Sequence, residues 1–236
     1  MDYASYTTSL QTLLVIYDAS GQAQLASIQP NIINDAELRC YRDLQLLNTV
    51  VSDTSVLTAN LRSAPLPTPA GGSFIVIESA NVITPSAVTN PDLGARNPLQ
   101  RVSKEYLNFM YGNATAAQPV CYAAIDDANF IVGPKPDATY TLEWYGTYRP
   151  LPLSATNTTT ILTNFFPDMF LAASMVFAAA YQRDFGASSD NPQMAMSWEQ
   201  HYGSLLQSAM KEEVMKKAQS QGWQAFQPTT ANPPRA

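Results

Sequence analysis

Charge is scarce in this 236-residue chain: Asp, Glu, Lys and Arg together make up 14% of it, and the formal net charge is −6. That balance excludes a general nucleic-acid binder held by phosphate contacts, which needs a basic surface. It suits a surface past which DNA slides without sticking. With apolar content ordinary at 46%, much of the surface must be Ser, Thr, Asn, Gln and Ala. Such a surface is either simply uncharged or partly hidden in an assembly. Histidine is nearly absent, and the single His201 sits within a helical pattern where a surface role is the plain reading. Only two cysteines occur. Cys40 falls on an apolar helical face and Cys121 opens a strand pattern, so both are expected to be small buried hydrophobes rather than disulfide partners. No apolar run reaches membrane-spanning length, and Met1-Asp2-Tyr3 has no basic leader region, so no membrane partner is expected.

Motifs for chemistry are equally scarce. The sequence has no Gly-x-Ser-x-Gly, no P-loop, no Cys-x-x-Cys and no His-Glu-x-x-His. Metal ligands are not clustered, and without a Gly-x-Gly-x-x-Gly no nucleotide cofactor is expected. Asp126 and Asp127 are adjacent in a turn pattern, where carboxylates commonly do turn work. A two-carboxylate glycan hydrolase built from Asp126 or Asp127 with Glu143 is the enzymatic alternative; it requires an acid of raised pKa in a cleft.

What is present is a helical frame around a β-rich middle. The chain is organised around Asn164 to Ser220, which reads as two long helices. Phe165, Met169, Ala172, Ala173, Val176, Ala180 and Tyr181 recur at helical spacing in the first, and Met194, Trp198, Tyr202, Leu205, Leu206 and Met210 in the second. Phe185 to Pro192 supplies the turn of an αα-hairpin. Before the middle, apolar spacing predicts a helix over 3–18, broken by Ser20-Gly21-Gln22, and another over 27–48 with Ile28, Ile32, Ala36, Cys40, Leu44 and Leu47 on its buried face. Asp35, Arg39 and Asp43 follow one another at i,i+4 on its outer face and read as a solvated stripe.

Residues 50–149 carry the strand patterns. Val50 to Thr58 and Phe74 to Ile77 read as strands, Leu61 to Ser73 and Ser86 to Leu99 as Pro/Gly-rich loops, and Ser103 to Tyr111 as a short helix. Val120–Ile125, Phe130–Val132 and Thr139–Tyr148 alternate with period two and predict a three-stranded antiparallel meander. Arg96, Arg101 and Lys104 lie close in sequence with no acid between them, as a small basic interface patch or as three scattered charges. Residues 221–236 form a Pro-rich tail that cannot make a core alone. Trp223 and Phe226 within it either fold back or dock on a neighbour. The expectation is therefore an α+β fold: one domain over 1–220, with helices at about 3–18, 27–48, 161–185 and 191–220 and the β-rich insert at about 50–149, followed by an extended tail over 221–236.

The order of these elements resembles the head-to-tail adaptor (connector, head-completion) proteins of tailed bacteriophages. The likeness is carried by Ile32 to Asp43, similar to the family's A-E-x-x-I/L-x-R helix through Ala36, Glu37 and Arg42, with Cys40 at the I/L position. Phe130 to Pro136 and Tyr140 to Tyr145 are similar to its proline-flanked strand and the aromatic strand that follows. Leu162 to Ala173 is similar to L-x-x-x-x-P-D-x-x-L-x-A, and Trp198 to Tyr202 to W-x-x-x-Y. The segment from Thr49 to Leu99 and the tail depart from the pattern. The resemblance implies a non-enzymatic virion protein: a homo-oligomer, usually a dodecameric ring, seated between the portal protein and the tail or nozzle protein. DNA would pass through without specific binding. On that reading the expected interface residues are Trp223, Phe226, Gln227 and Pro228, towards the portal or a neighbouring copy, and Arg96, Arg101 and Lys104.

Overall fold

The computed structural model describes residues 1–14, 19–113, 115–181 and 192–221. These form six α-helices and eight β-strands, an α+β fold whose sheets are mainly antiparallel. The chain divides into two compact units, Met1–Leu47 with Pro152–Ala236, and Asn48–Leu151.

The first unit is helical. It contains α1 (Tyr3–Leu14), α2 (Ala19–Asp43), α4 (Ile161–Phe165), α5 (Pro167–Tyr181) and α6 (Pro192–Gln221). α5 carries only one charge, Asp168, in its first turn, and buries Met169, Phe170, Ala172, Ala173, Met175 and Ala178. A helix apolar on most of its circumference belongs in the middle of a bundle, and α5 packs against α1, α2, α4 and α6. Cys40 is buried among these helices, as its position on the apolar stripe predicts. Tyr6 of α1 stacks on Phe170 with ring centres 4.6 Å apart. Its hydroxyl shares a 2.6 Å hydrogen bond with Ser174, so the one polar atom it brings inside is satisfied.

Helix limits differ from the expectation in two places. Ser20-Gly21-Gln22 does not break a helix; α2 opens at Ala19 and runs through all three, and it ends at Asp43 rather than Asn48. Glycine and serine lower helix propensity by less than packing along a 25-residue amphipathic helix returns. The helix expected over 161–185 is interrupted at Phe166, which leaves helical geometry at φ −135°, ψ 49°. Pro167 causes this: its ring disfavours helical geometry in the residue before it, and it then starts α5 without needing an N–H partner. The turn expected at Phe185 to Pro192 lies outside the described residues but for Pro192, which opens α6.

The second unit contains β1 (Val50–Leu57), β2 (Ser63–Pro65), β3 (Ser73–Thr84), β4 (Ala95–Pro98), β5 (Gln100–Arg101), α3 (Lys104–Tyr111), β6 (Cys121–Ala124), β7 (Asn129–Gly133) and β8 (Tyr140–Arg149). Two four-stranded sheets, ordered β1-β8-β3-β4 and β2-β7-β6-β5, share a core that includes Leu57, Phe74, Val82, Tyr122, Phe130 and Trp144. The loops expected at 61–73 and 86–99 each contain a short strand, β2 and β4.

The three-stranded meander is not formed. β6 and β7 pair as a hairpin, but β8 crosses to the other sheet and pairs between β1 and β3. β8 is buried on both faces along Tyr140–Trp144, the mark of a central strand. Sequential patterns show strands but not which edge each strand will find. Gly146 permits the close approach: a β-carbon there would lie 2.2 Å from the Val76 carbonyl oxygen of β3. Trp144 holds the two sheets together, edge-on to Phe130 (4.3 Å) and Tyr122 (5.5 Å), and its indole N–H donates to Ser55 at 2.9 Å. α3 closes the far side of the second sheet through Leu107, buried with Cys121, Ala123 and Ile131. Ser103 caps it, accepting the Tyr106 N–H at 3.1 Å.

Candidate interaction surfaces

Arg96, Arg101 and Lys104 occupy three different elements, β4, β5 and the start of α3. Arg96 is consumed internally. Its guanidinium donates to both Glu143 oxygens, Nε at 2.8 Å and the second nitrogen at 3.1 Å, and to Asp92 at 2.8 Å. Those hydrogen bonds, Glu143 first and Asp92 second, raise its already high pKa further. Glu143 is almost fully buried on β8. Burial alone would raise its pKa, but hydrogen bonds from Arg96, Asn81 and the Tyr145 hydroxyl together hold it below the usual carboxylate range. Arg101 and Lys104 are exposed, as is Arg96 despite its pairing.

The carboxylates of the hydrolase alternative have other work. Asp126 accepts the backbone N–H of Ala128 (2.8 Å) and Asn129 (2.7 Å) and the Asn129 amide at the tip of the β6-β7 hairpin. The Asn129 side chain, then the Ala128 N–H, lowers its pKa. A general acid needs the opposite shift. Asp127 lies beside it at the mouth of a groove that Glu143 does not line. Among the described residues no group of three or more His, Cys, Asp or Glu is placed to hold a metal ion. His201 is exposed on α6, edge-on to Trp198 at 5.8 Å.

Among the described residues, the acid whose pKa rises is Glu37, which burial pushes up to about 7. It lines no cleft. Its Oε2 accepts the Leu153 N–H at 2.8 Å, where the chain returns to the helical unit. Glu213 of α6 does the matching work where the chain leaves: buried, it accepts the Leu47 N–H at 2.8 Å and a Lys216 contact at 2.8 Å. Helical patterning gave no hint of these two anchors, because a glutamate aimed at a backbone N–H far along the chain looks like any helix-surface acid.

The stretches Ile32–Asp43 and Trp198–Tyr202 meet in space. Arg39 of α2 makes a two-pronged ion pair with Glu199 of α6, and lies 4.3 Å above the Tyr202 ring. Tyr202 in turn donates to Asp43 at 2.8 Å. The stripe Arg39–Asp43 is therefore part of the helix-to-helix packing rather than only a solvated face.

Large apolar side chains also stay open. Phe109 on α3 is 87% exposed, with Tyr106 and Met110 on the same helix about half exposed. On α6, Met196, Val214 and Met215 are exposed. A groove of about 250 Å³ in the β-rich unit is lined by residues of β3, by Arg101 and by the β6-β7 hairpin. Trp223, Phe226, Gln227 and Pro228 lie outside the described residues. No described helix is long and apolar enough to cross a membrane.

Arg96, Glu143 and Asp126 brace the fold itself, and exposed apolar side chains lie on both units. Residues 1–231 match the SU10 adaptor protein family, and the chain belongs to it. No curated protein matches the chain significantly. Membership agrees with the resemblance to phage head-to-tail adaptors and makes this a phage structural adaptor, a class that implies non-enzymatic work at the virion neck with portal and tail components.

Proposed function

We propose that this chain forms a ring, dodecameric as in the adaptors it resembles, between the portal and the tail, where it extends the DNA channel and offers a platform to the tail or nozzle protein. The observation that carries the reading is family membership over nearly the whole chain. The acidic balance and the low charge content favour a channel that lets DNA pass. The exposed apolar side chains on both units are the kind that neighbours in a ring cover. Trp223, Phe226, Gln227 and Pro228 are the proposed contacts to the portal or to a neighbouring copy. Arg101 and Lys104, with Arg96 braced by Glu143 nearby in sequence, are the proposed basic interface positions.

Light scattering and negative-stain imaging of the purified chain, alone and mixed with its portal ring, test this. A ring-shaped complex with many copies per portal, weakened by deleting residues 222–236, is the expected result. A compact monomer that ignores the portal would sink the reading.

A further inference from the structure

β3 is paired unevenly. β8 runs along one side of it from Ser73 to Ile83, whereas β4 covers the other side only from Asn81 to Thr84. The Leu99 N–H bonds the Ala80 carbonyl at 2.8 Å, after which the chain turns away and Gln100–Arg101 pair with β6. Among the described residues, the outer edge of β3 from Phe74 to Ser79 has no strand partner. Open N–H and C=O groups along an edge are a template for another strand.

Four of its six residues, Phe74 to Ile77, are apolar, and Glu78 and Ser79 follow them exposed. Register shifts between Phe74 and Val76 and between Ile77 and Ser79 take Ile75 and Glu78 out of the ladder with β8. Strict alternation is thereby lost, and the neighbours Ile75 and Val76 are both 51% exposed. The groove beside the edge is lined by Phe74 to Ile77 on one side and by Arg101, Tyr122 and Phe130 on the other.

One segment of the chain fits this place. Residues 222–236 follow α6 and would reach about 50 Å if extended. Within them Gly222-Trp223-Gln224-Ala225-Phe226-Gln227 has neither proline nor charge, and Pro228 follows. Proline cannot donate to a ladder, so a strand made from this segment stops at Gln227, matching the open stretch Phe74–Ser79 in length. Its neutrality suits a groove whose one lining cation, Arg101, shares the space with Asp126 and Asp127. Trp223 and Phe226, three residues apart, fall on opposite faces of a strand.

We propose that Gly222–Gln227 of one copy adds as a strand to the open edge of β3 in a second copy. One aromatic enters the groove beside Tyr122 and Phe130, and the other covers Ile75 and Val76. Passed on from copy to copy rather than exchanged within a pair, such a contact is head-to-tail, the kind that closes into rings. The proposal takes its setting from the ring reading, but the contact can be tested without a portal.

The test uses the chain ended at Gln221 and a synthetic peptide of residues 222–236, read by fluorescence anisotropy of a labelled peptide and by amide hydrogen exchange. Saturable binding that slows exchange at Phe74 to Ser79 is expected. Trp223→Ala or Phe226→Ala in the peptide should weaken it about tenfold or more. Ile75→Lys with Val76→Lys in the chain should abolish it, whereas Phe109→Ala should leave it unchanged. No saturable binding up to about 1 mM, or slowed exchange elsewhere only, overturns the proposal. So does a full-length monomer, by light scattering, whose edge amides are already protected, because its own segment then fills the groove. Should the shortened chain fail to fold, exchange at Phe74 to Ser79 is compared between the full-length chain and its Trp223→Ala/Phe226→Ala variant at high concentration, and equal rates overturn the proposal. A chain that assembles on the portal while the peptide is ignored refutes this contact and leaves the adaptor reading standing.

Discussion

Two buried glutamates show how differently one residue type can behave. Glu37 has no cation beside it, and burial raises its pKa from the ordinary 4.5 to about 7. In the unfolded chain Glu37 ionises near 4.5, while the folded chain keeps its proton until about 7. The folded state therefore binds more protons across that window, and stability falls as pH rises through it, by roughly 3 kcal/mol in total. Glu37→Gln keeps an acceptor for the Leu153 N–H and removes the ionisation. Its melting temperature should exceed that of the natural chain increasingly between pH 5 and about 7.5, and thermal scans with parallel pH profiles would refute this. Glu143 is the reverse case, a buried carboxylate kept charged by Arg96. Arg96→Ala leaves that charge without its main partner, so the melting temperature should fall at neutral pH. Adding Glu143→Gln should recover part of the loss, since the penalty lies in the uncompensated charge. A double variant no more stable than Arg96→Ala alone would count against this account.

At the scale of elements, α5 illustrates how sparse charge becomes structure. Its small residues Ala172, Ala173 and Ala178 are buried and let neighbouring helices come close. Ala173→Leu should overpack that seam and cost about 1–3 kcal/mol in urea denaturation. A neutral result would mean that the bundle relaxes there. Strands were legible one at a time but their partners were not. Phe130–Val132 and Tyr140–Tyr148 alternate as strands should, yet the first joins the hairpin sheet and the second becomes the centre of the other. β4 escaped notice because Ala-Arg-Asn-Pro has no apolar alternation, and it forms by pairing with Asn81–Thr84.

For the whole molecule, the two units have separate buried cores, one of helices and one of sheets. Unfolding should then depart from a single two-state transition. Calorimetry should show Arg96→Ala lowering one transition and Ala173→Leu the other, and one shared transition moved equally by both would refute this. The sequence by itself determined the α+β class, the helical frame around a β-rich middle, the burial of Cys40 and Cys121, the short helix at Ser103 to Tyr111 and the likeness to phage adaptors. Each of these follows from local periodicity, composition or short motifs, which are written in consecutive residues. Only the tertiary structure decided that β8 sits between β1 and β3, that Arg96 braces Glu143, that Arg39 reaches Glu199 and Tyr202, and that Glu37 and Glu213 hold backbone N–H groups more than a hundred residues away. Those pairings depend on which distant surfaces bury each other, and a buried charge or an open strand edge has no signature until its neighbours are in place.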